Sequence, residues 1–329
     1  MYIERVDPAS PDARIIAIAA RLLREGRLVA FPTETVYGLG AHALDAAAVE
    51  GIYRAKGRPA YNPLIVHIAE AARAHDIVAQ WPSTAEALAR TFWPGPLTLV
   101  LPKRPNVPDN VTAGLPSVAV RVPSHPVARA LLLAAALPVA APSANRSTEV
   151  SPTTGAHVAK SLGDVVDLIL DAGPTPVGIE STVLDLSTPI PTLLRPGTIS
   201  LPQLEAVVGE VRLANAVGGV AARPSPGMLD KHYAPRARVI VAETADVARV
   251  VAREQDAGRR VGTIVIEIDT PKADETIALP DDARGYAARL YDALHSLDDA
   301  RCDAIVVERV PDDPSWAGVA DRIRRAATV

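Results

Sequence analysis

Lys56-Gly57-Arg58-Pro59 places two fixed positive charges around a glycine, directly after a segment, residues 45–55, that reads as a helix. Glycine just past a helix end lets the backbone turn to positive φ, and the proline stops the helix from resuming. The two cations are thus expected on a short, stiff loop. Their mutual repulsion calls for an anion between them, a phosphate or a carboxylate. Arg121 ends an apolar run and needs a negative partner, either inside the protein or on a ligand carboxylate gripped by the guanidinium fork.

Four further segments set small polar residues beside apolar strands. Pro142-Ser143-Ala144-Asn145 follows the strand at 138–141, and its Ser and Asn read either as a turn or as donors to a phosphate or base. Gly178-Ile-Glu-Ser-Thr182 and Leu194-Arg-Pro-Gly197 repeat the arrangement with one serine or one arginine. Residues 31–40 read as a strand-to-helix loop, where Thr33 and Thr35 serve as turn formers on the simpler view and as ligand contacts on the other. His67, in a strand downstream of Asn62, reads as a hydrogen-bonded core or edge histidine. Glu34, Glu180 and Asp185 have no evident pairing and are assigned solvated or capping roles, and Cys302 a small buried one. The phosphate-loop, Gly-x-Ser-x-Gly and His-Glu-x-x-His patterns do not occur.

These residues need elements to hold them. The pattern predicts strands at 28–31, 64–68, 97–101, 117–122, 139–141, 166–170, 182–186 and 192–195, with helices at 46–55, 84–92, 127–136 and 154–162. A first helix is expected to start at Ser10-Pro11, and capping boxes at Ser83/Glu86 and Ser200/Gln203. Some strands follow one another without a helix, so the fold class is α/β with a twisted mixed sheet. Glycines and prolines break the pattern from 209 to 238, although Ser225-Pro-Gly-Met-Leu-Asp-Lys-His-Tyr-Ala-Pro235 is too particular for a plain tether. Beyond it, β-α alternation from 239 to 327 predicts a small parallel, Rossmann-like α/β unit. The expected organisation is a catalytic unit at 1–209, a linker at 210–237 and a C-terminal unit at 238–329.

A chain of 329 residues can bury two cores. A net charge of −4 argues against a general nucleic-acid or membrane binder. The single cysteine excludes an internal disulfide and a cysteine-based zinc site, and fits a reducing cytoplasm. Residues 1–12 lack a signal-peptide pattern, and the apolar run at 128–141 is too short to span a bilayer. Thirty prolines against 3 Trp, 7 Tyr and 2 Phe predict sharply bounded loops around an aliphatic core.

Taken in order, 31–40, Lys56–Pro59 with Asn62-Pro-Leu64, 142–145, Ser151-Pro-Thr153, Ser181-Thr182 and Arg195-Pro-Gly197 resemble the YrdC/Sua5 family of L-threonylcarbamoyladenylate synthases. The motif around Pro226 and His232-Tyr233 resembles the linker of the longer, two-domain Sua5 type. The resemblance implies a YrdC-like fold followed by a Sua5 C-terminal domain. It also implies condensation of L-threonine, bicarbonate and ATP, with magnesium, to threonylcarbamoyl-AMP and pyrophosphate, for t6A modification of tRNA by downstream transferase machinery. Carried over by residue, Lys56, Arg58, Ser143 and Asn145 are the catalytic set. Thr35, His67, Arg121, Ala141 and Ser181 are the threonine positions. Arg58, Asn62, Ser117, Ser143, Ser151, Arg195 and Tyr233 are the ATP positions. This chain has Leu229 where the family linker usually carries Lys, and Thr148 where a glycine is common. A hydrogenase-maturation module, a double-stranded RNA binder and a non-catalytic paralogue are the competing readings. The first is disfavoured by the missing zinc-finger cysteines, the second by charge and the third by the retained tetrad.

Overall fold

In the computed structural model, which describes residues 2–214, 234–266 and 272–327, two sheets organise the chain. The larger is built from β1 (Tyr2–Arg5), β2 (Val29–Pro32), β3 (Tyr37–His42), β4 (Ile65–His67), β5 (Leu97–Pro102), β6 (Ser117–Arg121), β7 (Val139–Ala140), β8 (Leu168–Asp171), β9 (Thr182–Asp185), β10 (Thr192–Arg195) and β11 (Arg212–Leu213). Its order is β1-β8-β2-β3-β7-β4-β6-β5-β9-β10-β11, and parallel and antiparallel neighbours alternate irregularly. Helices α1 (Ala13–Arg24), α2 (Ala46–Lys56), α3 (Ser83–Phe92), α4 (Asp109–Thr112), α5 (Pro126–Ala135), α6 (Gly155–Leu162) and α7 (Leu201–Val208) flank it. The smaller sheet, β12 (Arg238–Ala242), β13 (Val261–Val265), β14 (Glu275–Ala278) and β15 (Ala304–Glu308), is wholly parallel in the order β12-β15-β13-β14. Helices α8 (Val247–Asp256), α9 (Ala283–Asp299) and α10 (Ala317–Ala327) pack with it. The expected mixed sheet and small parallel unit are both present.

Local chemistry explains the elements that carry the loops. Asp45 caps α2 by accepting from the amides of Ala47 and Ala48, and Val49, Ile52 and Tyr53 bury its inner face. Gly57 then ends the helix in the left-handed region at φ 59°. The capping box of α7 forms as Ser200 and Gln203 predict.

Other expectations are corrected. Asp12, not Ser10, caps α1, because its carboxylate reaches the amides of Arg14 and Ile15. Ser83 lies inside α3 behind Pro82, and Glu86 accepts instead from the Trp81 indole. The largest correction is at 31–40, which is a β2–β3 hairpin rather than a strand-to-helix loop. The β3 sequence Tyr-Gly-Leu-Gly-Ala-His has little strand propensity. It is a strand because a Cβ at Gly40 would lie 2.8 Å from the Phe31 ring and 2.9 Å from Val139, so only glycine admits the neighbouring strands. The β1 and β14 strands were not anticipated, and β11 lies inside the expected linker.

Candidate active site

A pocket opens where the β2–β3 turn meets the strand ends of β4, β6 and β10. Its lining includes Thr35, Arg58, His67, Arg121, Ser143, Glu180, Ser181 and Arg195. The parallel register of β4 and β6 sets His67 beside Arg121. Arg121 is buried and has three partners. Its Nε donates to the Gly95 carbonyl at 3.1 Å, one Nη donates to Thr35 Oγ1 at 2.9 Å, and the other is ion-paired with Glu34 at 2.6 Å. The internal partner left open by the sequence is therefore Glu34. Its second oxygen accepts from the Ser124 amide, so it is neither solvated nor a helix cap. Thr33 and Thr35 do form turn contacts: the Thr33 hydroxyl donates to the Val36 carbonyl and is 2.8 Å from that of Thr35.

His67 is 3% exposed, and burial foremost, then the nearby Arg121 charge, pushes its pKa down to about 3. It is a neutral imidazole at physiological pH. Among the described residues its Nδ1 is a buried atom without a hydrogen-bond partner, as are Asn62 Nδ2 and Asn145 Oδ1. Buried polar atoms are rarely left so, and three within one set of candidate residues fit a polar ligand.

Lys56 and Arg58 do not flank an empty gap. Lys56 Nζ donates to the carbonyls of Ser143 and Asn145, which ties α2 to the 142–145 loop. Burial, with Arg58 adding to it, holds its pKa well below the usual lysine range, while Glu149 and Glu180 pull the other way. Arg58 lines the pocket and donates to the carbonyls of Asn62 and Pro63. Ala141 lines it as well, and its amide donates to the Ile65 carbonyl. The loops of Lys56/Arg58, Ser143/Asn145, Ser181 and Arg195 are thus brought together. Arg195 donates from Nε to the Ser181 carbonyl and from Nη2 to Ser181 Oγ, which also contacts the Thr98 hydroxyl at 2.8 Å.

Two sequence candidates are placed differently. Ser117 opens β6 at the end opposite Arg121, about 13 Å away along the strand, and does not line the pocket. Ser151 is fully buried, and its hydroxyl donates to Glu180 at 2.6 Å. Tyr233 lies outside the described residues, as does most of the proposed linker. Glu180, to which the sequence assigned a solvated or capping role, has neither. This carboxylate is buried, accepts from Ser151, Tyr291 and Arg322, and sits in the pocket wall. Burial raises its pKa, but Arg322 first, then Arg195 and Ser151, hold it below the ordinary carboxylate range. The signal was its place directly before Ser181, while its partners Tyr291 and Arg322 lie 111 and 142 residues away.

Among the described residues no cluster of three or more His, Cys, Asp and Glu is placed to hold a metal, and none of the helices is long and apolar enough to cross a membrane. Glu180 in the pocket wall and Glu34, the partner of Arg121, are both committed to arginines.

Residues 21–197 match the Sua5–YciO–YrdC family model, described as telomere recombination. Residues 199–328 match the model for the C-terminal domain of threonylcarbamoyl-AMP synthase. The threonylcarbamoyl-AMP synthase of Pyrococcus abyssi is 46% identical over 320 residues, covering 95% of this chain and 94% of its own. That of Bacillus subtilis is 44% identical, covering 99% and 96%. The crystal structure of P. abyssi Sua5 complexed with L-threonine superposes with a TM-score of 0.96 at 44% identity, over 99% of this chain and 98% of that one. With both family models matched in order and near full-length likeness to two-domain relatives, the chain belongs to the Sua5/YrdC family.

Proposed function

We propose that this chain is a threonylcarbamoyl-AMP synthase that condenses L-threonine, bicarbonate and ATP. The observation that carries the reading is a pocket lined by Arg58, Arg121 and Arg195, with Lys56 bonded to the adjoining 142–145 loop and, among the described residues, no paired nucleophile and base in its lining. Such a site is built for several anions and for charge neutralisation rather than covalent catalysis. The naming of its relatives as threonylcarbamoyl-AMP synthases and the threonine complex of P. abyssi Sua5 support it.

The threonine amine and bicarbonate give a carbamate with loss of water. A carbamate oxygen then attacks the α-phosphorus of ATP, a new P–O bond forms, and the bond to the bridging oxygen breaks as pyrophosphate leaves with the electron pair. Arg121 and Thr35 receive the threonine carboxylate, and neutral His67 and Ser181 face its polar atoms. Arg58 and Arg195 neutralise phosphate charge with Ser143 and Asn145. Lys56 holds the loop bearing those two residues, and an arriving anion favours its ammonium form. Asn62 and Tyr233 are the further ATP positions, whereas Ser117 lies away from the pocket and Ser151 acts through Glu180, to which its hydroxyl donates. Magnesium would accompany ATP as its counter-ion and would be held mainly by the substrate and water, since Glu180 and Glu34 are both engaged by arginines. The product is unstable and passes to a cytoplasmic threonylcarbamoyl transferase acting on tRNA.

The test supplies ¹³C-bicarbonate with L-threonine and MgATP and weighs the product by mass spectrometry. Threonylcarbamoyl-AMP one mass unit heavier is expected. An unlabelled product, or AMP without threonylcarbamoyl-AMP, would reject the proposal.

A further inference from the structure

The C-terminal unit touches the pocket through one buried carboxylate. Arg322, on α10, is wholly buried and places its Nε 2.7 Å from Glu180 Oε2. Its Nη2 donates to the Glu180 carbonyl at 3.2 Å, and its Nη1 to the Pro196 carbonyl at 2.9 Å. Tyr291, on α9, donates to the same Oε2 at 2.9 Å. Two residues from the C-terminal unit therefore grip the pocket segment at 178–182, and one of them also grips the loop at 195–197.

Two glycines make this approach possible. A Cβ at Gly178 would lie 2.3 Å from the Ala287 carbonyl oxygen on α9, and its φ of 78° disfavours any side chain. A Cβ at Gly318 would lie 2.6 Å from the carbonyl oxygen of Gly197. Both helices thus pack backbone-to-backbone against the loops that carry Ser181 and Arg195.

The charge arrangement gives the contact a purpose. The pocket gathers Arg58, Arg121 and Arg195, and their summed positive charge suits an anionic ligand. Glu180 sits among them. Unopposed, it would repel an incoming phosphate and draw Arg195 from Ser181, because a buried carboxylate takes whatever cation is in reach. Arg322 supplies the opposing charge from behind the pocket wall, and Tyr291 and Ser151 occupy further lone pairs of the carboxylate.

We infer that Arg322, assisted by Tyr291, is a positioning residue for nucleotide binding, which cancels the charge of Glu180 in the wall that receives the phosphates. The C-terminal unit is then part of the nucleotide site through α9 and α10. The proposed partner of the threonine carboxylate, Arg121, belongs to a different ion pair, with Glu34. This rests on the reading of the pocket as the ATP site.

The test measures ATP and L-threonine affinities of the full chain by titration calorimetry, without turnover. Arg322→Met is expected to weaken ATP about tenfold or more and L-threonine by less than about threefold. Adding Glu180→Gln removes the unopposed charge and is expected to restore ATP affinity to within about threefold of wild type, a rescue that simple loosening of the domain contact would not give. Lys160→Ala, which cuts the separate Lys160–Asp299 ion pair between the same two units, should leave both affinities unchanged. If Arg322→Met does not fold, Tyr291→Phe is expected to weaken ATP about threefold and L-threonine not at all. Equal losses for both ligands, no loss, or failure of Glu180→Gln to rescue would overturn the inference. A wild-type chain that binds both ligands but makes no threonylcarbamoyl-AMP would overturn the proposed reaction while leaving the ion-pair result readable. Absence of ATP binding by wild type would reject both.

Discussion

Lys56 Nζ donates a 2.6 Å hydrogen bond to the backbone carbonyl of Ser143, 87 residues further along the chain. With its second bond, to the Asn145 carbonyl, it fixes the 142–145 loop against the end of α2. Lys56 therefore holds the loop, and in the proposed mechanism acts through it, while Arg58 lines the pocket itself.

Lys56→Met keeps the apolar stem but leaves two carbonyls without their donor. Leaving a buried acceptor without its donor costs about 1–3 kcal/mol. Unfolding in urea should show a loss of about 3 kcal/mol, and synthase activity should fall about a hundredfold through displacement of Ser143 and Asn145. Unchanged stability together with lost activity would instead place Lys56 directly on the substrate.

Arg121 reaches a carbonyl, a hydroxyl and a carboxylate in three directions, which only a planar guanidinium can do. Arg121→Lys keeps the charge and loses the geometry. Equilibrium binding should show L-threonine weakened about tenfold or more, with ATP affected far less.

His67 adds a pH dependence whose sign follows from its lowered pKa. Folded His67 stays neutral down to about pH 3, whereas in the unfolded chain it takes a proton below about 6.5. Its contribution is therefore fully present above pH 6.5 and is lost as pH falls toward 3, at up to about 1.4 kcal/mol per pH unit. His295, pushed down to about 4 mainly by burial, and His157, also lowered mainly by burial, act in the same direction. Urea unfolding at pH 7.5 and pH 4.5 should show wild type losing stability on acidification. His67→Gln should lose less, and an equal loss in both would contradict the assignment of a buried neutral imidazole.

Gly318→Ala tests the docking of α10. The added methyl meets the backbone of Gly197 rather than a yielding side chain, so α10 must move away from the Arg195 loop. A stability loss of about 1–3 kcal/mol is expected in thermal or urea unfolding, with ATP affinity reduced alongside it. A fully stable variant would show that the two backbones are not held in contact.

Where short-range chemistry decides the structure, the sequence was legible. The end of α2 at Lys56-Gly57, the capping box of α7 and the parallel pattern of the C-terminal sheet all follow from spacing and turn residues. Where a distant partner decides, it was not. Tyr37-Gly38-Leu39-Gly40 becomes a strand only because Phe31 and Val139 leave room for no side chain at Gly40. Glu180 read as a solvated carboxylate because Arg322, 142 residues away, is what makes its burial affordable. Glu34 was misjudged for the same reason, its partner Arg121 being supplied by another strand. The ordered set of loop motifs pointed to the family before the geometry did, since no single local motif distinguishes a ligand contact from a turn.

The measurement that bears most directly on the central claim is pyrophosphate release from MgATP by the purified chain, with each substrate omitted in turn. The account predicts release only when L-threonine and bicarbonate are both present, reduced by orders of magnitude in Arg58→Ala. Release that persists when either is left out would contradict it.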